Sequence, residues 1–217
     1  MKINLSKINF DERQILILRG IDDAPIGILE HAFDLTGTYS YNEISTIEFS
    51  YPSQVNGVPT PCYNQICGTM NVELLGIGVF KLYNPKETTD GIRTILKCEA
   101  RSLECELAHK TVILSEDTYC LYNPVAKENT ICGMFIDDTG WKIGTVDSDL
   151  IGRYRTFEVN DNWYNFIKDT VQEKYGCIWE FDTNTRTANL RSIEDTPSIQ
   201  PVYISTKNLA KEIEIEE

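Results

Sequence analysis

The chain has 217 residues and a mass of 24.8 kDa, which is enough for one large domain or two small ones. Hydrophobic residues make up 41% and charged residues 24%. These ordinary fractions exclude a disordered tail, a collagen-like fibre and a coiled-coil rod. The net charge of -13 disfavours binding to nucleic acid or to anionic membranes. No apolar run approaches the length of a membrane-spanning helix, and the N-terminal residues lack the apolar segment of a signal peptide.

The chain contains seven cysteines. An odd number without a signal peptide disfavours a secreted disulfide framework and predicts a protein made in a cytoplasm, with reduced thiols. We therefore expect most of the cysteines to be small buried hydrophobic residues.

The first hundred residues are rich in strand signals. Short or alternating apolar runs predict strands at residues 15–18, 26–38, 44–51, 69–75, 79–83 and 92–100. Residues 52–61 hold three prolines and the pair Asn56 and Gly57, so we expect a loop there. Another loop is predicted between the pairs Asn84-Pro85 and Asp90-Gly91. Short strands at this spacing predict a barrel or a sandwich, not a parallel sheet.

The pattern changes after Ala100. Residues 101–110 predict a short helix, because Leu103 and Leu107 lie four positions apart and so share one face. Residues 114–139 show no clear period.

The clearest unit of the second half combines a strand, a helix and a hairpin. Residues 153–159 alternate as a strand does, and Asn160 or Asp161 is placed to cap the following helix. Gly176 ends that helix, since glycine tolerates the left-handed backbone of a helix terminus. A hairpin over residues 177–193 follows. The apolar face of the helix consists of Trp163, Phe166, Ile167, Val171 and Tyr175. This order predicts a small α/β layer whose helix packs its aromatic residues on a sheet.

The last residues of the chain alternate Glu and Ile at 212–216 and then stop without a turn or a cap. From this pattern we expect the chain to be a piece of a longer protein.

The sequence offers two candidate sites that use His109, one for zinc and one for nucleophilic catalysis. Cys98, Cys105 and His109 could bind zinc, but structural zinc sites prefer CxxC-type spacing and a fourth ligand. Cys105 and His109 could also form a nucleophile and its base, but nothing in the sequence marks an orienting group or an oxyanion site. Both sites are therefore weakly supported.

Other candidates rest on acidic or aromatic residues. The acid pairs that could serve glycoside hydrolysis are Asp22 with Asp23, Asp137 with Asp138, and Asp147 with Asp149. In a chain with 33 acidic residues such pairs arise by chance, usually in surface loops. Residues 182–186 begin like a calcium loop but lack its glycine and closing glutamate, so they are better explained as a hairpin turn. Trp163 and Trp179 could form a sugar platform, but their positions favour the core.

No Walker loop, HExxH, GxSxG or dinucleotide fingerprint occurs in the sequence. We therefore expect no enzymatic activity and no catalytic, cofactor-binding or metal-binding residues.

Several stretches from residue 97 onward form a series with a characteristic order and spacing. They are KCEARSLECEL at 97–107, WKIG at 141–144, RTFE at 155–158, GCIWEFDT at 176–183 and KNL at 207–209. This series resembles the N-terminal region of the phage minor structural proteins, also called tail-associated or prophage endopeptidase tail proteins. Cys105 departs from the resemblance, because an aromatic residue is expected at that position.

The resemblance implies an α+β fold, in which an antiparallel β-barrel carries an inserted small α/β domain, as in baseplate hub proteins. On this mapping residues 1–115 form the barrel, residues 116–200 form the inserted domain, and residues 201–217 return to the barrel. No catalytic residue is implied, because this part of the family is structural.

The resemblance also implies partners and a location. Three copies would form a ring that continues the tail tube at a phage or prophage tail tip and bears a C-terminal host-contact or lysin region. The ring would contact the distal tail protein and the tape-measure protein. DNA would pass through without specific binding, since a negatively charged lumen repels the phosphate backbone. The protein would lie in the bacterial host cytoplasm during assembly and then in the virion tail tip, with no membrane insertion.

Two alternatives come from other classes of protein. One is a cell-wall peptidoglycan hydrolase that uses an acid pair or Cys105 and His109. The other is a monomeric carbohydrate-binding module with exposed aromatic residues.

Overall fold

The computed structural model describes residues 2–4, 14–39, 43–91, 93–126 and 129–193. The segments predicted at 201–217 and 207–209 lie outside the described residues, as does the final alternation of Glu and Ile. None of the helices among the described residues is long and apolar enough to cross a membrane.

The first half of the chain is built from strands. They are β1 (Lys2–Asn4), β2 (Leu16–Arg19), β3 (Pro25–Ile28), β4 (Phe33–Thr38), β5 (Thr46–Pro52), β6 (Gln54–Val55), β7 (Val58–Pro59), β8 (Asn71–Leu74), β9 (Gly78–Asp90) and β10 (Arg93–Ser102). Eight of them form one antiparallel sheet in the order β1-β4-β5-β10-β9-β8-β2-β3, and β6 pairs with β7 in a separate two-stranded sheet. A short 3-10 helix, Tyr63–Gln65, lies in the loop before β8.

The expected closed barrel is not found among the described residues. The order of the large sheet is linear, with β1 and β3 at its two ends, and no described pairing joins these two strands. The end strands have only three and four residues, and β3 begins with Pro25, which has no backbone N–H to donate. What is shown is a mostly antiparallel α+β fold.

Alternation explains the strands at the centre of the large sheet. In β5, Ile47, Phe49 and Tyr51 are buried, while the residues between them are exposed or half-buried. This strand confirms the prediction at 44–51. The prediction of one strand over 26–38 was wrong, because a turn at residues 30–31 separates β3 from β4.

The loop predicted between Asn84-Pro85 and Asp90-Gly91 was also wrong over most of its length, because β9 runs from Gly78 to Asp90. The β9–β10 register shifts between Lys97 and Glu99, which leaves Asn84 and Pro85 in a β-bulge opposite Cys98. A bulge tolerates a proline, which cannot donate to the ladder, and it also accommodates the positive φ of 31° at Asn84.

Five strands are found in the described part of the second half, residues 103–126 and 129–193. They are β11 (Thr111–Cys120), β12 (Lys142–Val146), β13 (Tyr154–Asn162), β14 (Cys177–Asp182) and β15 (Thr187–Ser192). β11 and β13 form a two-stranded antiparallel ribbon. The other three form a sheet in the order β12-β15-β14, in which β12 runs parallel to β15. The stretch 114–139, for which the sequence predicted nothing, holds the end of β11 and the helix α1 (Ile131–Thr139).

A continuous helix packs on this small sheet. It consists of α2 (Trp163–Asn165), a π-helical segment (Phe166–Val171) and α3 (Gln172–Tyr175). Asn162 caps its start by accepting a hydrogen bond from the Asn165 amide, so the predicted cap at Asn160 or Asp161 was one or two residues early. Gly176 ends the helix with a φ of 64°, as predicted.

The helix predicted over residues 101–110 is confirmed in part. Arg101 and Ser102 belong to β10, and Leu103–His109 is a 3-10 helix. A 3-10 helix has three residues per turn, so Glu104 and Leu107 share a face and both are buried.

The buried side chains fall into two clusters. The first lies between 16 and 100 in the chain and the second between 103 and 190, with Val79 of β9 joining the second. Five of the seven cysteines are buried, as expected; Cys62 is half-buried and Cys67 is exposed.

Candidate functional site

The structure does not bring Cys98, Cys105 and His109 into an arrangement suited to zinc binding or nucleophilic catalysis. Cys98 and Cys105 are buried and His109 is exposed. Burial raises the pKa of Cys98 to about 12 and also raises the pKa of Cys105. Both thiols are therefore protonated at neutral pH, whereas zinc binding and nucleophilic attack both need the thiolate. No group of three or more His, Cys, Asp or Glu in the described part of the chain could hold a metal ion.

The first acid pair serves the turn between β2 and β3. Asp22 Oδ1 accepts a hydrogen bond from the Ala24 amide at 3.2 Å. Asp23 Oδ1 accepts one from Asn71 Nδ2 at 2.7 Å, and its other oxygen lies 3.1 Å from Arg186 Nε. These contacts hold the turn in place.

The second acid pair lies at the end of α1. Asp137 and Asp138 are both exposed, and Asp138 Oδ2 accepts a hydrogen bond from Trp163 Nε1 at 3.1 Å. In this position Asp138 satisfies the one polar atom of a buried indole ring.

The third acid pair has two separate structural contacts. Asp147 Oδ2 accepts a hydrogen bond from the Ser192 amide at 2.8 Å. Asp149 Oδ2 lies 2.8 Å from Arg153 Nη2. The two carboxylates therefore act on different partners.

The segment 182–186 is a hairpin turn, and the two tryptophans are core residues. Asp182 accepts hydrogen bonds from the Asn184 amide at 3.0 Å and from Thr185 Oγ1 at 2.7 Å, which is the geometry of an Asx turn. Trp163 and Trp179 are 0% and 3% exposed, so they offer no platform to a sugar.

A polar network joins the β14–β15 hairpin to the first half of the chain. Arg186 contacts Asp23 through Nε and lies 2.5 Å from Glu106 Oε1 through Nη1. Glu106 Oε1 also accepts a hydrogen bond from Trp141 Nε1 at 2.9 Å. Because Arg186 and Asp23 are separated by 163 positions, no local sequence signal indicates this contact.

An apolar patch lies on the outer face of the large sheet, near its β3 end. We call it the outer-face patch: Ile15, Ile26, Ile28 and Leu75, which are 37%, 38%, 49% and 50% exposed. Leu16 and Leu18 point into the core, so Ile15 and Ile17 point outward. Ile28 lies opposite Ile17, and the Leu75 amide donates to the Ile15 carbonyl at 3.0 Å. Contiguous exposed apolar residues mark a surface for association.

The middle of the same outer face is charged instead. Glu48, Lys97, Glu99 and Arg101 are exposed there on β5 and β10. Arg101 lies 3.2 Å from Glu99 and 4.6 Å from the centre of the Tyr83 ring. This region is well suited to contact with water.

No protein-family model and no curated protein matches the sequence. Among solved structures, the chain is similar to the prophage tail protein gp18 from Listeria monocytogenes EGD-e, with a TM-score of 0.61 and 16% identity over 86% of this chain and 52% of that one. It is also similar to the tail protein from Neisseria meningitidis MC58, with a TM-score of 0.51 and 8% identity over 82% of this chain and 50% of that one. The chain therefore spans about half the length of these two proteins.

A further similarity is to the structure of a PdpA–VgrG complex, with a TM-score of 0.50 and 12% identity over 82% of this chain and 35% of that one. At these identities the comparisons show a shared fold. The fold is that of phage tail proteins and of a chain from the VgrG complex.

Proposed function

We propose that this chain is the N-terminal hub part of a phage or prophage tail tip and that it acts by assembly, not by catalysis. The observation that supports this best is the fold shared with prophage tail protein gp18 over 86% of the chain at a TM-score of 0.61. The series of resembling stretches in the sequence, from 97–107 to 207–209, points to the same class of protein.

Three copies form a ring that continues the tail tube, with the distal tail protein and the tape-measure protein as further partners. The outer-face patch supports an interface between copies, because a monomer gains nothing by exposing four large aliphatic side chains side by side. We assign this patch to contact with a neighbouring copy of the chain.

The chain divides into a tube-like domain at 1–115 and an inserted α/β domain at 116–200, and residues 201–217 return to the first domain. The two hydrophobic clusters support a division into two parts, although the buried residues pass from one cluster to the other between 100 and 103, earlier than the proposed boundary at 115. The tube-like domain would close into a barrel within the assembled tail.

The acidic balance of the chain fits passage of DNA through the ring. A net charge of -13 gives the lumen a potential that repels phosphates, so DNA slides without being held. The protein is made in the host cytoplasm and then resides in the virion tail tip. The C-terminal continuation of such a protein would carry the host-contact or lysin region.

Light scattering over a concentration series tests the proposal. We expect a species near three times 24.8 kDa that dissociates on dilution. Ile28→Glu should raise the concentration needed for association at least tenfold, because it buries a charge at the interface. Ile113→Glu is a matched control, since Ile113 is 73% exposed on β11, away from the outer-face patch. A monomer at every concentration would contradict the ring.

No specific observation favours a peptidoglycan hydrolase or a carbohydrate-binding module. The acids proposed for a hydrolase contact structural partners, and the tryptophans proposed for a carbohydrate-binding module are buried.

A further inference from the structure

A cavity of about 200 Å³ lies between the continuous helix and strand β14. Its lining residues are Glu43, Glu104, Tyr164, Ile167, Lys168, Gln172, Ile178, Trp179, Glu180 and Phe181. An apolar protein cavity of about 150 Å³ holds a benzene molecule, so this one has room for roughly six non-hydrogen atoms. It therefore fits a side chain or a small molecule, not a drug-sized ligand.

Glu104 is the buried acid of this cavity. It is 8% exposed, and its Oε1 accepts a hydrogen bond from Ser102 Oγ. No described residue donates a hydrogen bond to Oε2, and no described Lys, Arg or His lies within ion-pair distance of the carboxylate. A buried carboxylate oxygen without a partner lowers stability, and a ligand that donates a hydrogen bond to it would remove that cost.

Lys168 does not fill this role in the structure, because its ammonium group lies at the rim. Its Nζ lies 3.9 Å from Glu43 Oε1 and 5.8 Å from the centre of the Tyr164 ring. The rim thus shows the combination that holds an ammonium group, a carboxylate beside an aromatic face. Lys168 also lies in the π-helical segment, and such segments are frequent at functional sites.

The one unpaired charge of the cavity favours a cation. Glu43 is paired with Lys168 and Glu180 with Arg191, which leaves Glu104 as the lining carboxyl group without a described cation. Trp179 and Phe181 contribute apolar wall that suits a short alkyl chain. An anionic ligand would meet net negative charge here, and a purely apolar ligand would leave Glu104 without a partner.

We propose that this cavity binds a primary alkylammonium group, with Glu104 as its anionic anchor. A lysine side chain, with about five non-hydrogen atoms beyond Cα, matches the cavity volume, and so does a small free alkylamine. The shared chemistry is the ammonium group on a short alkyl chain. This inference is independent of the proposed assembly function, since it depends only on the cavity.

Titration of the intact chain by NMR tests the proposal with three probes: N-acetyl-lysine methylamide, pentylamine and 1-pentanol. We expect the amines to shift the amide signals of cavity-lining residues, and 1-pentanol to bind at least tenfold more weakly, because it has the same shape without the charge. This comparison needs only the wild-type protein. Equal binding of pentylamine and 1-pentanol, or no binding of any amine, would overturn the proposal.

Glu104→Gln removes the charge and keeps the shape of the side chain. We expect it to weaken amine binding at least tenfold. Glu99→Gln is the matched control, because Glu99 is exposed on the outer face of the large sheet, and it should change amine binding less than twofold. Unchanged amine binding by Glu104→Gln would also overturn the proposal.

The two amine probes distinguish the source of the ligand. Binding of N-acetyl-lysine methylamide alone would support a lysine from a polypeptide. Binding of pentylamine alone would support a free amine, and binding of both would support recognition of the ammonium group whatever molecule bears it.

Discussion

The two halves of the molecule build their cores in different ways. The first core is mainly aliphatic and comes from alternate residues of neighbouring strands, such as Val72 and Leu74 in β8. The second core is richer in aromatic residues, with seven among its buried residues against three in the first, and it contains all three tryptophans of the chain. Phe135 of α1 meets both Trp163 and Trp179 edge-on, at ring distances of 5.4 and 5.0 Å. A strand core thus depends on register, whereas the aromatic core depends on a few large side chains from distant segments.

The largest expected effect follows from that dependence on single aromatic residues. Trp163→Ala should lower the free energy of unfolding by about 3–5 kcal/mol, because it leaves a large cavity at a fully buried site and removes a partner of Phe135. Urea unfolding followed by circular dichroism measures this. Ile113→Ala, at a side chain that is 73% exposed, should change stability by less than about 0.5 kcal/mol. A loss below about 1 kcal/mol for Trp163→Ala would contradict the aromatic core.

A smaller effect tests how firmly the two halves are joined. Arg186→Ala should lower the free energy of unfolding by about 1–2 kcal/mol, because it removes a partly buried ion pair to Asp23 and another to Glu106. A double-mutant cycle with Asp23→Asn measures the coupling directly.

The matched control for the joining contact is Arg191→Ala. Arg191 and its partner Glu180 are 51% and 50% exposed, so their ion pair should contribute only about 0–1 kcal/mol. If Arg186→Ala and Arg191→Ala had equal effects, the network at Arg186 would be no more than an ordinary surface contact.

The periodic elements of both halves could be predicted from the sequence, because their signals are local. The alternation over 44–51 indicated a strand, and the residues Trp163, Phe166 and Tyr175 were correctly placed on the buried face of one helix that ends at Gly176. Local signals failed where tertiary structure overrides them. A β-bulge accommodates Pro85 inside β9, where the proline indicated a loop.

The candidate sites could not be predicted for the same reason. The outer-face patch depends on which strands pair, since only the register sets Ile28 opposite Ile17. Glu104 was expected on a short helix, where nothing marked it as buried. The 3-10 geometry places it beside Leu107 in the interior.

Glu104 gives a stability difference that depends on pH. Burial raises the pKa of this carboxyl group above the ordinary value of 4.5, so the folded protein binds more protons than the unfolded chain near that pH. The contribution of Glu104 to the free energy of unfolding is therefore most favourable at low pH. It decreases as the pH rises through the pKa that Glu104 has in the folded protein. Compared with wild type, Glu104→Gln should be more stable at pH 7, and this advantage should shrink towards pH 4. Thermal unfolding at both values measures it, and an advantage that grew towards pH 4 would contradict the sign.

The smallest expected effect separates an exposed thiol from the buried thiols of both cores. Cys67 is exposed, and a hydrogen bond with Thr69 Oγ1 at 3.1 Å lowers the pKa of its thiol. Burial raises the pKa of Cys98 in the first core to about 12 and that of Cys177 in the second core to about 12. Cys67 should therefore react with iodoacetamide well before either of them, because the thiolate is the nucleophile.

Thr69→Val keeps the side-chain shape and removes the hydroxyl that stabilises the Cys67 thiolate. At pH 7.5 it should slow alkylation of Cys67 about twofold or more, since a higher thiol pKa leaves less thiolate. Thr88→Val, at an exposed site on β9, is the control and should leave the rate unchanged. Peptide mapping by mass spectrometry after timed alkylation identifies the modified residue. If Cys98 or Cys177 were alkylated as fast as Cys67, the cores would open far more often than their burial indicates. The contrast between an exposed thiol and the thiols of two closed cores would then be wrong.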